Sequence, residues 1–267
     1  MKKSLAGSRG YAKPLFMQWL LGVTVLGAMA LGFYWFLSAR NGDIGSAFPP
    51  IQVLADVFWL RLGDLASAAR FSAEVSALGL LVGTCVGCGG ALVVRLASPV
   101  DFVVTPLAVV AKATPIVALS PFLAILLRVN SYLIPFASSV LVSFFPVYVL
   151  CRRGLRVKMR PLAEYLDSLG IGSMRRLLLL DGFGAMALGG AAMQSAAPLA
   201  VVGTLVGEML VASQGLGFLV VRYQNASNFA ALYCAIAVTG IVGVAFFAFG
   251  TGIAAAVAHF VGLRAED

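Results

Sequence analysis

The chain is expected to fold as an all-α membrane protein of about six transmembrane helices, and three features of its 267 residues lead there. Hydrophobic residues make up 61% and charged residues 11%, whereas a soluble domain is about half apolar and about a quarter charged. The apolar residues are gathered into runs that each reach the roughly 20 residues needed to cross a hydrocarbon layer as a helix. Lys and Arg collect in alternate polar segments, as they do in cytoplasmic loops of multi-spanning proteins.

The runs are Leu15–Leu37, Phe71–Val94, Phe102–Leu127, Tyr132–Leu150, Phe183–Val211 and Phe229–Phe260. The first is too long for the apolar region of a signal peptide and is read as a retained helix. Pro106, Pro115 and Pro121 in the third run and Pro198 in the fifth are expected to kink their helices. The last two runs are overlong, which calls for tilt, a break or extension into water. Between the first two, Ile51, Leu54, Ala55, Phe58, Leu62 and Leu65 recur at helical spacing while Asp56, Arg61 and Asp64 lie off that stripe. This predicts an interfacial helix lying on the membrane surface. The chain thus reads as a single domain: a cytoplasmic tail over 1–14, a first helix and interfacial segment over 15–70, and core helices over 71–260 interrupted by a polar loop over 151–182.

With the N-terminus inside, thirteen of the Lys and Arg residues fall in cytoplasmic segments and five in outer ones, with Lys112 left inside a span. Both termini and the basic 151–182 loop are therefore placed in the cytoplasm. The net charge of +8 is accounted for by topology, so no nucleic-acid partner is expected. Cys85 and Cys88 form a CxxC inside a Gly-rich apolar run without His or carboxylate nearby, and read as small packing residues. His259 is the sole histidine and sits at the end of the last run. Neither a metal cluster nor a nucleophile–base pair emerges, so no catalytic or metal-binding residue is assigned. The phosphate loop GxxxxGK[ST] is missing too, so ATP and Mg²⁺, if they power this protein, must be bound by another chain.

Two segments carry the functional expectation. Pro161 to Leu169 suits a short helix, with Pro in its first turn, Glu164 near the positive end and Gly170 as its stop. A second helix is expected from Ser173 through Arg175. Two short helices joined at a Gly170–Gly172 bend make a knob that another protein's groove could receive; the alternative is a solvated linker. Further on, Glu208 is followed by Ser213, Gln214, Gly215, Leu216, Gly217 and Phe218 at the turn between the last two runs. The glycines permit a re-entrant bend, which membrane depth tolerates only where protein or water satisfies the backbone. That arrangement puts Glu208, Ser213, Gln214 and the glycines on the wall of a path; the alternative is an ordinary outer loop. An acid among apolar neighbours must be paired or wet. Lys112 either faces a cavity, where it could attract an anion, or snorkels to the cytoplasmic interface.

These segments resemble those of permease subunits of ATP-binding-cassette importers. Glu164 and Gly170 match the ends of the family's Glu-Ala-Ala-x(3)-Gly loop, with Tyr165 and Leu166 replacing the alanines and Gly182-Phe183 standing where Leu-Pro is expected. Glu208 through Val220 resembles the Glu-x(5–6)-Gly-Leu-Gly-Tyr/Phe-Leu-Ile segment of the nitrate, sulfonate and taurine branch, and Pro115-x(5)-Pro121 is similar to its third-span pattern. The resemblance implies a type I importer transmembrane domain in a bacterial inner membrane. It implies cytoplasmic ATPase subunits that hold ATP and Mg²⁺ and receive Glu164, Asp167, Gly170, Gly172 and Arg175. It implies also a second permease subunit, expected as a homodimer, and a periplasmic or lipid-anchored substrate-binding protein. Glu208, Ser213, Gln214, Gly215, Gly217, Phe218 and Lys112 would line or gate the path, with Glu208 structural or gating because a carboxylate repels anions. The implied solute is small, polar and anionic, like a sulfonate, nitrate or taurine; a vitamin precursor or other heterocycle is the alternative. An ion-driven secondary transporter would instead require paired intramembrane charges or inverted repeats, which the sequence does not offer.

Overall fold

The computed structural model describes residues 48–97, 101–104, 116–127, 132–155, 182–211 and 213–261, with scattered positions outside these stretches. Every regular element described is a helix: α1 (Ile51–Leu60), α2 (Leu62–Leu96), α3 (Ile116–Leu126), α4 (Leu133–Gly154), α5 (Gly182–Val211), α6 (Leu216–Asn225) and α7 (Phe229–Phe260). Among the described residues, four helices are long and apolar enough to cross a membrane: α2, α4, α5 from Gly184, and α7. Of the third expected span, 102–104, Pro106 and Ile116–Leu126 are described as helical, and most of the first lies outside the described residues. Within the first, Tyr34 sets its ring 5.5 Å from that of Tyr233 on α7.

The second span begins at Leu62 rather than Phe71. Arg70 and Glu74, which shorten the apolar run, form an i,i+4 ion pair of 2.7 Å on the exposed side, while Leu65 and Ala68 turn into the core. The interfacial helix correspondingly ends at Leu60, and its inward face is Leu54, Val57 and Phe58 rather than the full expected stripe. Leu62 and Leu65 belong to α2. At 35 residues α2 is about 52 Å long, well beyond an apolar layer of about 30 Å, so it projects or tilts.

Register is set by glycine. Gly79, Gly83 and Gly87 lie on one edge of α2 and meet Ser139, Ser143 and Val147 of α4, each glycine about sixty residues before its partner. A constant offset means the two helices run parallel, with repeated small residues allowing close contact. Helix α5 runs antiparallel to both. Its Gly203 lies against the Ser138–Ser139 backbone and its Gly207 against Pro135, while Gly184 meets Gly154 at the other end. Helix α7 packs antiparallel on α5, Gly250 on Met193 and Gly190 on Val257. The dense glycines of the last two runs therefore divide. Gly184, Gly190 and Gly250 mediate close approach, whereas Gly240, Gly243 and Gly252 face open space. One core, including Leu80, Val147, Tyr148 and Ala196, joins α2, α4 and α5. Another, including Leu65, Leu219, Tyr223 and Cys234, joins α1, α2, α6 and α7.

Candidate functional site

The segment after Glu208 forms a second, short helix. Helix α5 ends at Val211, Gly215 turns the chain with φ +103°, and α6 occupies Leu216–Asn225. That φ belongs to the region that favours glycine. A Cβ at Gly215 would also run into the Glu208 carboxylate. Ser227 (φ 52°) makes the next turn, and the Asn228 side chain accepts from Ala231 N at 3.1 Å to start α7.

The first turn of any helix leaves backbone N–H groups without partners. In α6 side chains supply the acceptors. Gly217 N donates to Glu208 Oε2 at 2.8 Å, and Leu216 N donates to Ser72 Oγ at 2.9 Å. The Ser72 hydroxyl in turn lies 2.7 Å from Oε1 and 2.9 Å from Oε2 of Glu208 and donates to the carboxylate. Glu208 is only 1% exposed and Ser72 0%. A carboxylate at the positive end of a helix, ringed by donors, offsets the cost of burying its charge. One turn away on both helices the pattern repeats with neutral groups. Ser76 Oγ donates to Thr204 Oγ1 at 2.9 Å, and Thr204 Oγ1 donates to Ala200 O at 3.0 Å. These rungs tie α2 to α5 and fix α6 across their end.

The rest of α6 is two-sided. Leu216, Leu219 and Tyr223 are buried in the core shared with α1, α2 and α7, and the Arg61 guanidinium lies 5.3 Å from the Tyr223 ring centroid. The opposite side, Phe218, Val221, Arg222 and Asn225, faces Met209 and Val211 of α5 across an open groove of about 440 Å³. Helix α5 runs from this groove back to Gly182 over its full 30 residues, about 45 Å.

Among the expected site residues, Glu208, Gly215, Gly217 and Phe218 come together here, with Ser213 and Gln214 exposed on the connection. Glu208 points into protein, toward α2 and α6, and not into open space. Lys112, Glu164, Asp167, Gly172 and Arg175 lie outside the described residues. Gly170 is described, with φ +66°, a conformation suited to the helix stop expected of it. The sequence did not point to Ser72, one of several serines near the start of its run and 136 residues from its partner. Nor did it point to Arg222 and Asn225, although the spacing Phe218, Val221, Arg222, Asn225 marks one helix face. At the opposite end of the bundle, Arg152 of α4 pairs with Asp101 at 2.6 Å. Cys88 contacts Cys151 of α4, sulfurs 3.0 Å apart, rather than Cys85 of its own CxxC. Among the described residues no group of His, Cys, Asp and Glu could hold a metal ion.

Residues 79–262 match the model of a family described as binding-protein-dependent transport system inner membrane component. The chain is 29% identical over 166 residues to a probable ABC transporter permease protein of Haemophilus influenzae, covering 61% of this chain and 67% of the relative. It is 27% identical over 225 residues to the formylaminopyrimidine transport permease protein ThiX of Halalkalibacterium halodurans, covering 80% of this chain and 86% of the relative.

Proposed function

Because the chain belongs to the family of inner membrane components of binding-protein-dependent transport systems, we propose that it carries a small heteroaromatic solute of the pyrimidine kind through a bacterial inner membrane, driven by ATP in a separate chain. The match over 79–262 carries this reading, since it takes in α3 to α7, the second half of α2 and the basic loop together. The relative named for formylaminopyrimidine transport supports the solute, and it aligns over 80% of this chain. In this reading two copies of the chain enclose the path. Both termini face the cytoplasm, by the distribution of Lys and Arg. Cytoplasmic ATPase subunits receive Glu164, Asp167, Gly170, Gly172 and Arg175, and a binding protein delivers solute at the far end of α5, where α6 lies. Nucleotide-driven closure of the ATPases moves the docked loops, and the helices switch between inward- and outward-facing arrangements. Glu208 then serves as a fastening for α6. A sulfonate or nitrate solute is the second reading, favoured by the Gly215-Leu-Gly217 segment and its likeness to that branch.

Co-purification tests the docking. An ATPase subunit recovered with the wild-type chain is expected to be lost with Gly170→Asp or Glu164→Lys; undiminished recovery with both variants well folded would overturn the docking assignment. Solute-dependent ATPase activity in proteoliposomes, with formylaminopyrimidine, taurine and nitrate compared, separates the two solute readings.

A further inference from the structure

We infer that the groove between the last turn of α5 and α6 is the solute's recognition subsite, that it takes a flat heteroaromatic body bearing hydrogen-bond acceptors, and that Arg222 and Asn225 read its polar edge. The inference rests on the importer reading above and adds the residues that choose the solute.

The groove holds about 440 Å³, within the few hundred to a thousand usual for small-ligand sites. Its walls are Phe218 and Val221 on α6 with Met209 and Val211 on α5, an aromatic ring, a thioether and branched chains. Such walls favour a solute with an apolar ring face over nitrate, which has none. Two polar side chains join them. Arg222 brings a planar fork of donors, and Asn225, one turn from Val221, brings both a donor and an acceptor. Among the described residues no ion pair engages Arg222, so its guanidinium is available to ring nitrogens, a carbonyl or an acidic group.

Rigidity is what distinguishes this surface from an ordinary lipid-facing crevice. The wall carrying Phe218 and Arg222 is fixed from behind by Ser72 and Glu208 at its start and by Arg61 on Tyr223 near its end. Preorganised walls with few, placed polar groups are the usual anatomy of a selective site.

The test uses the intact assembly of permease, ATPase and binding protein in proteoliposomes, with formylaminopyrimidine as probe. Arg222→Gln and Phe218→Ala are each expected to raise the KM for uptake about tenfold, the scale of one lost charge-assisted or stacking contact. The quantity of co-purifying ATPase should stay at the wild-type amount. Val221→Trp, which fills the groove, should abolish saturable uptake. Wild-type KM in all three assembled variants would overturn the subsite while leaving the importer reading intact. Uptake of taurine or nitrate but not of the pyrimidine by the wild-type assembly would overturn the solute class, and absence of any ATP-dependent uptake would overturn the importer reading itself. Should lipid composition, and not these substitutions, govern uptake, the groove belongs to a lipid and the inference falls.

Discussion

Glu208 shows how an acid survives among apolar helices. Its oxygens accept from the Ser72 hydroxyl and from Gly217 N, and Ser72 accepts from Leu216 N, so each member depends on the others. Truncating one strands its partners, at about 1–3 kcal/mol for each buried group left unsatisfied. Glu208→Ala is therefore expected to lower the melting temperature in detergent more than Glu208→Gln, which keeps an acceptor for Gly217 N. The double variant Ser72→Ala/Glu208→Ala should cost less than the sum of the single ones, because they break one network. Strict additivity in thermal unfolding would refute that coupling. Gly215→Ala should also destabilise, by about 1–3 kcal/mol for the forced φ alone, and its Cβ would meet the carboxylate as well. The acid and the glycines were legible because a lone Glu in an apolar run followed by Gly-Leu-Gly is locally odd. Ser72 was not, since a Ser in a span looks the same whether it caps a distant helix, bonds a neighbouring hydroxyl as Ser76 does, or fills a gap. Arg222 was not legible either, since a cation near the end of an apolar run fits an interfacial anchor equally well.

Among the elements, glycine in α2 acts by position. At Gly83 a Cβ would strike the Ser143 side chain and lie 3.0 Å from Val140 O, whereas at Gly89 it would meet nothing within 4 Å. The same substitution should then have opposite signs six residues apart. Gly89→Ala gains about 1 kcal/mol of helix propensity, while Gly83→Ala must push α4 away. Thermal unfolding of the two purified variants checks this, and equal stabilities would mean that α2 and α4 are not in close contact. For the four long apolar helices described, existence was legible from run length, and the ends were not. The α1–α2 break at Arg61 and the start at Leu62 depend on which side of the helix Arg70 and Glu74 occupy, a question that composition cannot answer. Helix α6 was anticipated as a bend. Ten residues are marginal for an isolated helix, and this one is held by tertiary contacts at Leu216, Leu219 and Tyr223, whose spacing was nonetheless present in the sequence.

At the scale of the molecule, α2, α4 and α5 form a block stitched by glycine contacts and by hydroxyl bonds, such as Ser139 Oγ donating to Ala200 O at 3.0 Å. If transport moves this block as one body, joining α2 to α4 should not stop it. Cys88 and Cys151 already touch, so copper–phenanthroline oxidation should link them within one chain, detectable by mass spectrometry and absent in Cys151→Ala. Uptake is expected to persist in the linked protein; loss in proportion to linkage would show that the two helices slide. The ordering of the Glu208 partners along the chain also bears on how the protein is made. Ser72 is synthesised long before Glu208, and Gly217 nine residues after it. When the ribosome delivers the acid to the insertion machinery, one half of its cradle is already in place and the other is still in the exit tunnel. Replacing Ser72 should therefore lower the fraction of newly made chains that thread correctly, read by protease protection during synthesis in membranes, over and above the loss of stability in the finished protein.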